Sequence, residues 1–160
     1  MLRKANEIIL TNIPRNKFCT KAGVYCNNPR VTQFQEKTYY YQQPDDMQEA
    51  VSVLLDRFNS LLAQSMNSNE LLHILKCVAW LVFELLDLHP FSDGNGRLCR
   101  LLCSYVLSTC TPFPTPICSH EVTPILQSSV TRHPVKLTSI IIERTRLLPP
   151  GNLLRDIQLN

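Results

Sequence analysis

The sequence predicts an all-α domain with one small β-hairpin near its N-terminus. Apolar residues recur at three- and four-residue steps through most of the chain, and only one short region alternates in the strand manner. Four glycines in 160 residues are too few for the many tight turns of an all-β protein, whereas eleven prolines predict helices parted by stiff connections. The length suits a single domain, and 44% apolar with 18% charged residues is a globular composition. Sixteen basic against thirteen acidic residues leave a charge of +3, too little to mark a nucleic-acid-binding surface.

The elements follow in order. Ile8-Ile9-Leu10 supports a first helix over 2–11. Gly23-Val24-Tyr25-Cys26 and Arg30 to Phe34 read as two strands of a hairpin about the turn signal Asn27-Asn28-Pro29. Thr38-Tyr39-Tyr40-Tyr41 reads as an extended aromatic stretch ending at Pro44. Asp45 or Asp46 caps the next helix, where Met47, Ala50, Val51, Leu54, Leu55, Phe58, Leu61 and Leu62 form an apolar face about four turns long. Residues 65–69 break the pattern. Residues 70–88 are apolar almost all round, as expected for the centre of a bundle. His73, Lys76, Glu84 and Asp87 interrupt that run, so it reads as a buried helix and not a membrane span. Helix signal resumes at Arg97, runs to Cys110, and stops at the Pro-rich run 111–116. Two weaker helices are predicted near 121–131 and 134–146, with a tail after Pro149-Pro150-Gly151. The seven cysteines contain no C-x-x-C pair and read as small buried residues of a reducing, cytoplasmic protein without a signal peptide.

One stretch carries chemistry: His89-Pro90-Phe91-Ser92-Asp93-Gly94-Asn95-Gly96-Arg97-Leu98-Cys99-Arg100. Proline after His89 drives that residue out of the helical region and ends the helix there. A histidine so placed can be partly exposed and titrate near neutral pH. Gly94-Asn95-Gly96 before a new helix allows consecutive N–H groups to face one concave space, an anion nest at a helix N-terminus. Arg97 and Arg100 share a face of that helix and can reach phosphates over the nest. Asp93 beside a polyphosphate is suited to Mg²⁺. A phosphate cradle, a metal carboxylate and a general base make up equipment for displacement at phosphorus. There is no Walker loop and no Rossmann fingerprint.

This stretch resembles the signature of the Fic family, H-P-F-x-[DE]-G-N-G-R-x-x-R, at every fixed position. A chance match is below roughly one in a hundred million at average residue usage. The resemblance covers 5–146 as a Fic domain, with 147–160 as a C-terminal tail, and implies a Fic-type helical bundle with a hairpin flap. It implies a protein adenylyltransferase that moves AMP from ATP to a Ser, Thr or Tyr hydroxyl of a target protein. By motif position, His89 would be the general base and Asp93 the Mg²⁺ ligand. Gly94, Asn95 and Gly96 would form the anion hole, Arg97 would neutralise the phosphates, and Arg100 would hold the γ end. Phe91 would anchor the loop in the core. The flap, about Gly23 to Phe34, would pair with an extended segment of the target, and Val31, Thr32, Gln33 and Phe34 would also cover the nucleotide. Some relatives use another nucleotide or phosphocholine, or remove the modification. A catalytically idle binding module is the alternative from a different class. Gly96 argues against the phosphorylating Doc branch, which carries Lys there. Ser139-x-x-x-Glu143 approaches the family's inhibitory-helix pattern. The expected partners are ATP and a target protein, with no nucleic acid and no membrane; a homodimer is allowed.

Overall fold

The structure, a computed structural model, describes residues 1–11, 21–34, 36–67 and 70–110, together with Ser139 and Ile141. Its elements are α1 (Leu2–Ile9), β1 (Val31–Phe34), β2 (Lys37–Tyr40), α2 (Met47–Asn67), α3 (Leu71–Leu88) and α4 (Asn95–Cys110). The mostly helical architecture with a small antiparallel hairpin is the one the periodicity predicts.

The packing follows from which helix is apolar on which side. Helix α3 is buried on nearly every face, through Ile74, Leu75, Val78, Ala79, Leu81, Val82, Leu85, Leu86 and Leu88. It lies between α2 and α4, while α1 rests on α4. Helix α2 contributes Met47, Val51, Leu54 and Phe58 to the core. Helix α4 contributes Leu98, Cys99, Leu102, Cys103, Val106 and Leu107. Ile141, itself helical, is fully buried in the same cluster. Burying a Leu- or Phe-sized side chain stabilises by roughly 1.5–3 kcal/mol, so this continuous α3-centred core carries the fold. Asp46 caps α2, its Oδ1 accepting from the backbone N–H of Gln48 at 2.8 Å and of Glu49 at 3.1 Å.

Three expectations are corrected. The hairpin does not pair 23–26 with 30–34. Residues 31–34 pair antiparallel with 37–40, in register from Val31 opposite Tyr40 to Phe34 opposite Lys37. The backbone of 23–26 is drawn elsewhere: Cys26 N–H donates to Pro90 O at 2.9 Å, and Gly23 N–H donates to the Asn6 side chain at 2.9 Å. Helix α2 runs through the predicted polar break as far as Asn67, because its polar residues sit on the solvent side. Helix α4 begins at Asn95, two residues before the expected Arg97. Four cysteines among the described residues, Cys26, Cys77, Cys99 and Cys103, are buried free thiols. No helix of the described residues is long and apolar enough to cross a membrane. The predicted helices at 121–131 and 134–146, Glu143 and the tail lie outside the described residues, Ser139 and Ile141 excepted.

Candidate active site

The site is built where α3 ends and α4 begins. His89 caps α3 in the left-handed region, φ 48° and ψ 57°, and its N–H donates to Leu85 O. The following proline forbids continuation of the helix, so the chain turns at this residue. Nδ1 of His89 lies 3.2 Å from Leu86 O. A carbonyl only accepts, so Nδ1 carries the proton and Nε2 keeps its lone pair. Tyr41 stacks on the imidazole, with ring centroids 3.8 Å apart and planes 19° from parallel. Burial pushes the His89 pKa down to about 4, and Arg30 adds to the fall, against the hydrogen bond to Leu86 and the charge of Asp93. The expected titration near neutral pH is therefore corrected: desolvation keeps the ring neutral at pH 7.

The loop from His89 to α4 is held from inside. Phe91 is buried against Tyr25, ring centroids 5.1 Å apart. Asn95, also buried, accepts from Phe91 N–H at 3.0 Å and donates to Phe91 O at 2.6 Å. The Asn95 side chain thus closes the turn, and it is the residue's backbone that faces the mouth of the helix. Gly94 has φ +83°, a conformation L side chains rarely adopt. Gly96 has no positive φ and opens α4 in helical geometry, so of the two motif glycines only Gly94 needs unusual backbone angles. Leu98 N–H makes the first bond of α4, to Gly94 O at 2.9 Å. The N–H groups of Asn95, Gly96 and Arg97 stand ahead of it, at the positive end of the helix dipole.

Charged side chains surround that mouth. Arg97 Nη2 donates to Asp93 Oδ1 at 3.0 Å; the two side chains are 35% and 42% exposed. Arg100 reaches back beside Gly96, its Nη1 3.7 Å from where a Cβ would stand. The structure therefore places Asp93, Arg97 and Arg100 about the turn of Gly94, Asn95 and Gly96 that opens α4, in the loop that follows His89. Val31, Thr32, Gln33 and Phe34 form β1. Thr32 reaches the site indirectly, through a side-chain hydrogen bond to Tyr41, the residue stacked on His89.

Four residues that sequence reasoning passed over frame this site. Arg30 is buried, and its guanidinium donates to three carbonyls, Cys26 O, Gln42 O and Leu88 O. Asp87 is buried at the end of α3 and accepts from Tyr39 Oη and Gln42 Nε2. Tyr41 is the stacking partner just described. Asn6 of α1 donates to Asp93 O at 2.9 Å. The available signals were a lone acid at the end of an apolar helix for Asp87, and an amide on the inner face of a short helix for Asn6. A separate cleft of about 460 Å³ between α2 and α3, walled by Asp46, Glu49, Arg57 and Trp80, includes none of the motif residues.

The Fic/DOC family profile matches residues 1–107 of the chain. The chain belongs to the Fic/DOC family. Among individual proteins, a fido domain-containing protein of Dictyostelium discoideum is 52% identical over 40 residues, 24% of this chain and 28% of that protein. The protein adenylyltransferase Fic of Aedes aegypti is 42% identical over 59 residues, 36% of this chain and 11% of its own length. The chain thus matches under a third of the length of either relative. Among solved structures, a Fic domain containing signaling protein from Bacteroides thetaiotaomicron superposes with a TM-score of 0.65 at 23% identity, covering 91% of this chain and 59% of that one. At that identity the likeness shows the Fic fold.

Proposed function

We propose that this Fic-family chain is a protein adenylyltransferase that transfers AMP from ATP to a Ser, Thr or Tyr hydroxyl of a target protein. The observation that supports it most is the neutral His89 imidazole, its Nδ1 turned to Leu86 O, in the same loop that leads into the mouth of α4. In this reading Nε2 takes the proton of the target hydroxyl as its oxygen attacks the α-phosphorus of ATP. The bond from that phosphorus to the bridging oxygen breaks, pyrophosphate leaves, and AMP stays on the target as a phosphodiester.

The residues ahead of α4 suit the phosphate chain. Backbone N–H groups of Asn95, Gly96 and Arg97 supply preorganised donors, and Arg97 and Arg100 supply charge. Arg97 would exchange its bond to Asp93 for a phosphate oxygen. Among the described residues no three His, Cys, Asp or Glu side chains are placed to cage a metal. A single partly exposed carboxylate, Asp93, fits Mg²⁺, which takes one or two carboxylates and fills its shell with phosphate oxygens and water. When bound, the ion would neutralise charge on the phosphates. The same phosphates bring negative charge toward His89 and would raise its pKa from about 4, making it a stronger base in the complex than in the free protein. Residues 31–34 lie on the hairpin edge, suited to an extended target segment and to covering the nucleotide.

Intact-protein mass spectrometry of the chain with Mg²⁺ and each of ATP, GTP, CTP and UTP tests this, because a Fic enzyme can modify its own chain. The expected result is a gain of one AMP with ATP, absent in His89→Ala. A gain from another nucleotide would replace ATP as the donor. No gain, together with no ATP binding by calorimetry, would make the chain a binding module.

A further inference from the structure

We propose that Asn6 is a positioning residue of this site: its buried amide fixes the Asp93–Gly94 peptide, and with it the mouth of α4, against the root of the flap segment at Gly23. The inference rests on the AMP-transfer reading.

Asn6 lies inside α1 and is 1% exposed. Asparagine is a poor helix former, and a buried amide is costly unless both its ends are satisfied. Both are satisfied here by backbone from distant parts of the chain. Oδ1 accepts from Gly23 N–H at 2.9 Å, and Nδ2 donates to Asp93 O at 2.9 Å. Two such bonds contribute no more net stability than a well-packed Leu could. What the amide adds is direction. It sets the plane of the peptide that follows the Asp93 side chain and precedes the first N–H groups of α4.

The fit is mutual. A Cβ on Gly94 would stand 2.9 Å from Asn6 Nδ2, so the amide approaches as closely as it does only because residue 94 has no side chain. Gly23 is matched to the same helix: a Cβ there would stand 2.9 Å from Arg3 O, and Arg3 Nε donates to Gly23 O at 2.8 Å. Arg3 thus ties α1 to Gly23 and lies over the Tyr25 ring, 5.8 Å from its centroid, with no hydrogen bond to the motif, whereas Asn6 bonds both to Gly23 and directly to Asp93 O of the motif. That difference separates a positioning role from a merely structural one.

The test measures AMP incorporation into the chain itself, by intact mass, in variants shown to be folded by near-UV circular dichroism at the assay temperature. Asn6→Ala is expected to lose about 100-fold in turnover, the size of effect that a misplacement near 1 Å produces. Arg3→Ala is expected to lower the unfolding temperature while keeping turnover within about 2-fold, a change too small to reflect misplacement. The Asn6→Ala loss should fall on kcat and persist at saturating ATP, which a merely weakened fold, shown intact at the assay temperature, would not produce. Wild-type turnover in Asn6→Ala, a loss that saturating ATP removes, or an equal loss in Arg3→Ala would each overturn the role of Asn6 while AMP transfer stands. A wild-type chain that neither transfers AMP nor binds Mg²⁺ and ATP would overturn both.

Discussion

At the scale of single residues, the site runs on burial. His89 is neutral because the protein removes water from its ring, and that has a consequence for stability as well as for catalysis. In the unfolded chain the imidazole titrates near 6.5; in the fold it titrates at about 4. Above pH 6.5 both states are neutral and the folded protein bears no penalty. As pH falls from 6.5 toward 4 the unfolded chain takes up a proton that the folded chain refuses. Stability is therefore lost over that window, by on the order of 3 kcal/mol for the net shift. Urea midpoints at pH 7.5, 6 and 5 should fall steeply in the wild type and less steeply in His89→Ala. Arg30 acts on the same ring from inside. Replacing it by Met would strand the carbonyls of Cys26, Gln42 and Leu88, for a loss of roughly 3 kcal/mol. It would also remove a buried positive charge that lowers the His89 pKa. The acid limb of the pH–activity profile in Arg30→Met should move to higher pH, which a titration of kcat/KM would reveal. Neither Arg30 nor Tyr41 was legible as part of the site, because each acts through contacts with segments distant in the chain.

At the scale of elements, the helices were legible and the hairpin was not. Periodicity marks α2 and α3 because a helix in a bundle must bury one stripe or all of its surface, and the sequence records which. The hairpin was misplaced because its true turn carries no turn residue. Glu36 adopts φ +63° where Asn or Gly is usual, while the strong signal Asn27-Asn28-Pro29 sits in a segment whose backbone is claimed by Pro90 and by Asn6. Tertiary hydrogen bonds overrode local chemistry there. The motif itself was legible as a joint pattern of residue types, but the unlike roles of its glycines were not. Gly94→Ala must place a Cβ at φ +83° and 2.9 Å from Asn6 Nδ2, and should cost roughly 2–3 kcal/mol. Gly96→Ala meets Arg100 at an ordinary 3.7 Å in helical geometry and should leave stability within about 0.5 kcal/mol or raise it. Thermal unfolding of the two variants separates these cases. If Gly96 gives phosphates close access to the backbone, Gly96→Ala should nonetheless bind ATP more weakly by calorimetry.

At the scale of the whole molecule, no single element owns the site. Helix α1 supplies Asn6, the segment at 23–30 supplies Gly23 and Arg30, the hairpin leads into Tyr41, α3 ends in Asp87 and His89, and α4 opens the phosphate-facing mouth. Such a site is only as rigid as the core beneath it, and that core is α3 against α2 and α4. Its integrity has a built-in reporter. Cys77 lies on α3, and Cys99 and Cys103 lie one turn apart on α4, all buried. Burial drives the Cys99 thiol strongly up and pushes Cys103 up to about 12, so at pH 8 neither offers the thiolate that reacts with a disulfide reagent. Labelling at these sites requires an opening that returns them to water. With peptide-level detection, Cys99 and Cys103 should label at a common slow rate that follows the urea dependence of global unfolding. Rapid labelling of Cys99 in the native protein would mean that α4 leaves α3 in local openings, and the mouth at Asn95 to Arg97 would then be an adaptable site instead of a preorganised one.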